Sequence, residues 1–209
     1  MALPNNFNFE NGQGALIYGV LVTDEKTPTL CEVDPSGSLI LITHQHSKVH
    51  QGAYYNVSHY FSGVANNASA MLLIKLSANY ENHSVIQIGT GGDARLDLYE
   101  NPNIAANGTS LSITNHNRTL ALASPAKVTS STAFHTPTIG GSPQDYGTAL
   151  IPGFVLPGGT KDKGGGAIAE ASGEQWVWAA SNNYLVKVTN QSGSAQDISI
   201  DVAFYEVGV

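Results

Sequence analysis

"NYLVKVTNQSGSAQDISIDVAFYE", residues 183–206, alternates apolar and polar side chains through two runs separated by a turn of small residues. In "DISIDVAFYE", Ile198, Ile200, Val202 and Phe204 fall on one side of an extended chain. Ser199, Asp201, Ala203 and Tyr205 fall on the other. In "NYLVKVTN", Tyr184, Val186 and Val188 share a face. Both runs are rich in the β-branched and aromatic residues that suit a pleated, half-buried surface. "QSGSAQ", residues 191–196, supplies turn residues between them, and the expectation is a β-hairpin.

The same period of two recurs along the chain. It marks "ALIYGVLV" (15–22), "LILITH" (39–44), "AYYNVSHYF" (53–61), "AMLLIKLS" (70–77), "SVIQIG" (84–89), "ARLDLYE" (94–100) and "EQWVWA" (174–179). Turn-forming clusters such as "DPSGS", "ANNAS", "GTGGD" and "LPGGTKDKGGG" punctuate these runs. Strands at this spacing read as a sandwich or barrel. No window of ten or more residues carries a helical period. The expected fold is all-β, an antiparallel β-sandwich of jelly-roll type. Residues 1–28 are less regular and are read as an extended N-terminal arm, with residues 29–209 as the sandwich body.

Composition bounds the function. Charged residues make up 12% of the 209, about half the usual share of roughly 25%. Asn, Ser, Thr and 22 Gly carry the polarity instead, a mix that disfavours long surface helices. A net charge of −7 and the lack of any Lys/Arg cluster argue against nucleic-acid binding. The single cysteine, Cys31, leaves no internal disulfide and suggests folding in a cytosol. No basic segment followed by an apolar run opens the chain, and no stretch is long and apolar enough to span a bilayer, so no membrane partner is expected.

Three histidines stand within seven positions in "HQHSKVH": His44, His46 and His50. On an extended strand they would share a face with Lys48, and two imidazoles at i and i+2 reach one metal. Lys48 on that face would repel a divalent ion. A cupin-type centre also wants a carboxylate soon after the His pair and a distant histidine. Here His50 or Gln51 occupies the first place, and "GFVLPGGTKD" lacks the second. No metal or other cofactor is therefore expected; the three histidines are the metal candidates should one exist, and otherwise belong to a polar strand edge or subunit contact.

Other chemistry is thinly supported. No G-x-S-x-G elbow presents a serine nucleophile. Asp97 with Glu100, or Glu170 with Glu174, are carboxylate pairs of the kind glycoside hydrolysis uses, but scattered acids at strand ends usually face water. "GGTKDKGGG" lacks the Gly-Lys-Ser/Thr ending of a phosphate loop. Trp176 and Trp178 project from one side of their strand. With Tyr54 and Tyr55 they could stack on sugar rings, or they could fill the core or a subunit interface.

Several stretches, in order, resemble one family: the small β-sandwich virion proteins of tailed bacteriophages, including capsid decoration (cement) proteins. They are "VDPSGSLILITHQHSKVHQG", "YYNVSHYFSGVANNASAMLLIKL", "LDLYENPNIAANGTSLSITNHNR", "FHTPTIGG" and "EQWVWAASNNYLVKVTNQSGSAQDISIDVAFYE". The likeness covers roughly residues 30–209 and leaves the arm outside it. The last piece is the most specific, although "VWAASN" replaces a Leu-Lys-Pro-type segment usual before that strand. The resemblance implies a non-enzymatic protein on the outer capsid surface, made in the host cytoplasm and assembled as a homotrimer. Its implied partner is the major capsid (coat) protein, whose subunits it bridges. In that setting His44, His46, His50, Trp176 and Trp178 become interface residues. The alternatives are a carbohydrate-binding module that adheres to a receptor or surface glycan, and a cupin-like metalloprotein.

Overall fold

A computed structural model describes residues 18–20, 28–30, 44–120, 134–141, 145–157 and 176–208. The chain divides into two units, Met1–Thr43 and His44–Val209. In the first, β1 (Tyr18–Val20) and β2 (Pro28–Leu30) pair antiparallel, with Gly19 opposite Thr29. The rest of the expected arm, Cys31, residues 39–43 of "LILITH", Glu170, Glu174 and "GGTKDKGGG" lie outside the described residues.

The second unit opens with α1 (His44–His50), β3 (Tyr54–Val64), β4 (Ser69–Lys75) and β5 (Tyr80–Thr90). Next come β6 (Ala94–Glu100), β7 (Ile104–Ala106), β8 (Ser110–Leu111) and β9 (Thr114–Asn115). Then follow β10 (Phe134–His135), β11 (Thr138–Ile139), β12 (Thr148–Leu156) and β13 (Trp176–Trp178). The last are β14 (Asn183–Asn190) and β15 (Gln196–Gly208). Sheet I has the order β12-β6-β14-β4-β10-β8, and sheet II has β13-β5-β15-β3-β9. Neighbours in both run antiparallel.

The fold is an all-β sandwich. Alternation drives it: Val57, Ile86, Ile88, Ile198, Ile200, Val202 and Phe204 of sheet II meet Leu72, Ile74, Leu96, Leu98, Val186 and Val188 of sheet I. All of these are buried. Burying each such side chain contributes about 1.5–3 kcal/mol before the entropy of ordering is set against it.

The hairpin expected at residues 183–206 does not form. β14 pairs with β4 and β6, while β15 pairs with β3 and β5, so the turn carries the chain from one sheet to the other. Each strand thereby fills both of its hydrogen-bonding edges. The two apolar faces then meet across the core instead of lying side by side. Asn190 builds the crossing: its Nδ2 donates to the carbonyls of Val64 and Ser194, at 2.7 Å each. Its Oδ1 accepts from Ser192 N–H and from Gln196 Nε2, at 2.8 Å each. Gly193, at φ 83°, takes a left-handed conformation that a Cβ would strain.

β12 was not marked by alternation. Pro152 and Gly153 interrupt it and its register against β6 shifts twice, features tolerated at a sheet edge, where β12 lies. The outer face of sheet I is covered. Leu73 and Leu185 are buried with Ile139, and Met71, Tyr99, Ile104 and Tyr146 pack around them. Ile139 and Ile104 belong to the small β11-β7 sheet that forms this cover.

Candidate functional site

Residues 44–50 are helical, which corrects the strand expected there. The physical reason is at the C-terminal end. Gly52 sits at φ 69°, Gly52 N–H donates to the Val49 carbonyl at 3.0 Å and Ala53 N–H to the Lys48 carbonyl at 2.9 Å. That is a Schellman ending, which needs a residue free to go left-handed. Lys48 occupies the last turn, where a cation favours the helix dipole. Alternating histidines imitated a strand; the glycine two residues past His50 was the signal for a helix.

The helix redistributes the histidines. At about 100° per residue His46 and His50 share a face, and Lys48 lies about 200° around the axis from each. His46 Nε2 and His50 Nε2 approach to 2.8 Å in a hydrogen bond, with ring centroids 4.7 Å apart. Both residues are exposed. The side chain of His44 lies outside the described residues.

A second segment, missed in the sequence, is stapled to this helix. Asn115 Nδ2 donates to the Gly52 carbonyl at 2.8 Å, and Asn117 Nδ2 to the His50 carbonyl at 3.0 Å. Asn117 Oδ1 accepts from the N–H groups of Thr119 and Leu120. Between helix and segment lies a cleft of about 470 Å³ lined by Val49, His50, His116, Asn117, Arg118, Thr119 and Leu120. The legible signal was "NHNR", two Asn with the short side chains that cap turns.

An aromatic ladder runs from this cleft across sheet II. The His116 ring meets Tyr54 edge-on, Tyr54 stacks on Tyr205, and Tyr205 stacks on His83 at 4.7 Å. Gln45 of the helix donates to the Tyr54 hydroxyl at 2.5 Å. Burial is the main cause that raises the Tyr205 pKa above its ordinary value, with Tyr54 and Glu81 adding to it.

The tryptophans lie elsewhere. Trp178 is 1% exposed, stacks on Tyr184 with centroids 4.9 Å apart, and belongs to the core. Trp176 is half-buried and packs against the same core. Trp178 is therefore not a surface contact residue, and Trp178, Tyr54 and Tyr55 offer no open platform for a sugar. Burial comes first because each side chain occupies the inward or covered side of its strand. Tyr184 donates to Glu100 Oε1 at 2.7 Å and accepts from Ala179 N–H at 2.9 Å. Burial, and then the Glu100 hydrogen bond, push the Tyr184 pKa up.

Asp97 and Glu100 do not converge. Three residues apart on one strand, they face opposite sides. Asp97 accepts from Arg95 Nη2 at 3.0 Å on the covered face, while Glu100 is held by Tyr184 and Asn182. Among the described residues no three histidine, cysteine or carboxylate side chains gather as a metal cluster. No described helix is long and apolar enough to cross a membrane. Comparisons with protein-family models, curated proteins and solved structures return no match.

Proposed function

We propose that this chain is a non-enzymatic structural protein of a phage virion, decorating the outer capsid surface as a homotrimer and bridging coat-protein subunits. The sequence resemblance supplies the identity of the partner. The observation that carries the reading is where apolar surface is left open. Among the described residues β12 and β13 each end a sheet, and they hold Phe154, Val155 and Val177, exposed at 49%, 65% and 55%. Apolar side chains beside unpaired strand edges suit contacts with other chains, by edge pairing and by packing. Repeated weak contacts gain strength when a closed oligomer presents several at once.

We further read the sandwich as a jelly roll. Support comes from the strand order: β3-β15-β5-β13 in sheet II faces β4-β14-β6-β12 in sheet I. The last two strands of the chain each insert between two early ones, as two interlocked Greek keys require.

Light scattering on the purified chain at micromolar concentration tests the proposal. The expected mass is that of three chains, and a Val155→Asp/Val177→Asp variant is expected to dissociate. A monomeric wild type overturns the subunit clamp. An electron-microscopy map of intact particles without this density on the shell overturns the placement.

A further inference from the structure

We propose that His46 and His50 form a two-histidine site for a late first-row divalent cation, best suited to Cu2+ or Ni2+ in tetragonal coordination. The pair stands one helical turn apart on α1, the spacing by which two helix-borne imidazoles hold a metal. Their Nε2 atoms are 2.8 Å apart while the ring centroids are 4.7 Å apart, so both nitrogens point into the shared gap.

The separation selects the geometry. Nitrogens bound about 2.0–2.1 Å from one metal stand about 2.8–3.0 Å apart at a right angle, and about 3.3–3.4 Å apart at a tetrahedral angle. The observed 2.8 Å matches the right-angle separation. Cis positions at a right angle belong to tetragonal Cu2+ and Ni2+, whereas Zn2+ prefers the tetrahedron. The expected order of affinity is Cu2+, then Ni2+, then Zn2+.

Electrostatics permit the site because the segment is a helix. On a strand Lys48 would share the histidine face; here it lies about 200° away around the axis. Arg118 is the cation that shares the adjoining cleft with His50. Proton bookkeeping is neutral. In the metal-free pair one Nε2–H donates to the other Nε2, whose lone pair that hydrogen bond occupies. On binding, the donor ring moves its proton from Nε2 to Nδ1, both Nε2 lone pairs go to the cation, and two bound waters leave it. Among the described residues no third histidine, cysteine or carboxylate joins the pair.

The test is titration of the full chain with Cu2+, Ni2+ or Zn2+ alone, in a buffer that does not bind metals. Imidazole NMR signals and calorimetry provide the readouts. Expected is one strongly held Cu2+ per chain, with the His46 and His50 signals broadening before those of the other five histidines. His46→Gln and His50→Gln should each weaken Cu2+ by about tenfold or more, in the range typical when a metal site loses support. His116→Gln and Lys48→Ala should leave the affinity within about twofold, being outside the ligand set. Uniform broadening of all histidines in the wild type, which needs no variant to fold, overturns the proposal. So does an affinity unchanged in both Gln variants, or zinc binding more tightly than copper.

Discussion

In sheet I the central strand β14 is buried on both faces, whereas its counterpart β15 in sheet II keeps one face against the core and turns the other outward. Val186 and Val188 of β14 look inward, and Leu185 and Lys187 look out, yet all four are buried. The cover is the β11-β7 pair with Tyr146, whose ring lies 4.3 Å beneath Lys187 Nζ. On β15, Ser199, Asp201 and Ala203 remain partly open, beside Gln87 and Ser58 on the neighbouring strands. Sheet I has thus used both of its surfaces internally, and sheet II leaves the Ser199–Ala203 stretch of its outer face partly open while Tyr54 and Tyr205 on that face are covered.

The largest effect that can break this contrast comes from truncating one outward residue in each sheet. Leu185→Ala removes a buried side chain from beneath Ile139 and should cost about 2–5 kcal/mol in urea unfolding. Gln87→Ala, on the open face of sheet II, should stay within about 0.5 kcal/mol, as surface changes do. Equal costs would mean that sheet I is not covered at all.

A smaller effect concerns charge under the cover. Asp97 is buried and accepts from Arg95 Nε at 3.1 Å and Nη2 at 3.0 Å, with Lys187 opposite it in register. Asp97→Ala leaves Arg95 without its carboxylate and is expected to cost about 1–3 kcal/mol, discounted because Arg95 is partly exposed. Asp201→Ala loses one 3.3 Å bond from Asn56 on the open face and should cost less than about 1 kcal/mol. A reversed order in thermal unfolding would invert the assignment of covered and open faces.

The contrast also explains what could be read in advance. β15 was legible because its two faces meet different surroundings, so its sequence alternates cleanly. β3 and β5, in the same sheet, were legible for the same reason, within a few residues at their ends. β12 was not, because an edge strand with Pro152 and Gly153 has only half its pairing to satisfy. Turn residues marked where the chain bends but not where it goes next. β14 and β15 are joined like a hairpin and sit in different sheets, a choice made by which apolar faces meet across the core. At the candidate site, spacing alone suggested a strand for His44–His50; the helix was signalled only by Gly52, whose left-handed turn lets the N–H groups of Gly52 and Ala53 close the last turn. His116 and Arg118 join that site through the hydrogen bonds of Asn115 and Asn117, contacts between segments about sixty residues apart that periodicity does not register.

The smallest effect lies on the open face itself and is read through pH. Where β15 shifts register against β3, Asp197 accepts a short hydrogen bond from the Tyr60 hydroxyl and another from Gly63 N–H at 2.8 Å. The Tyr60 bond, then the Gly63 bond, hold the Asp197 carboxyl below its ordinary value of 3.8, and the same Tyr60–Asp197 bond raises Tyr60 above its ordinary 10.0. A depressed carboxylate stabilises the fold above its ordinary value and loses that contribution as pH falls through the depressed one. A raised tyrosine stabilises below its ordinary value and loses its contribution as pH rises through the raised one. The contact is therefore complete between those two ordinary values and weakens outside them. Tyr60→Phe should lower the melting temperature slightly near neutral pH, and wild type and variant should converge once acid has protonated Asp197. A gap that persists unchanged into acid would assign the Tyr60 contribution to ring packing on sheet II and leave the open face without this charged bond.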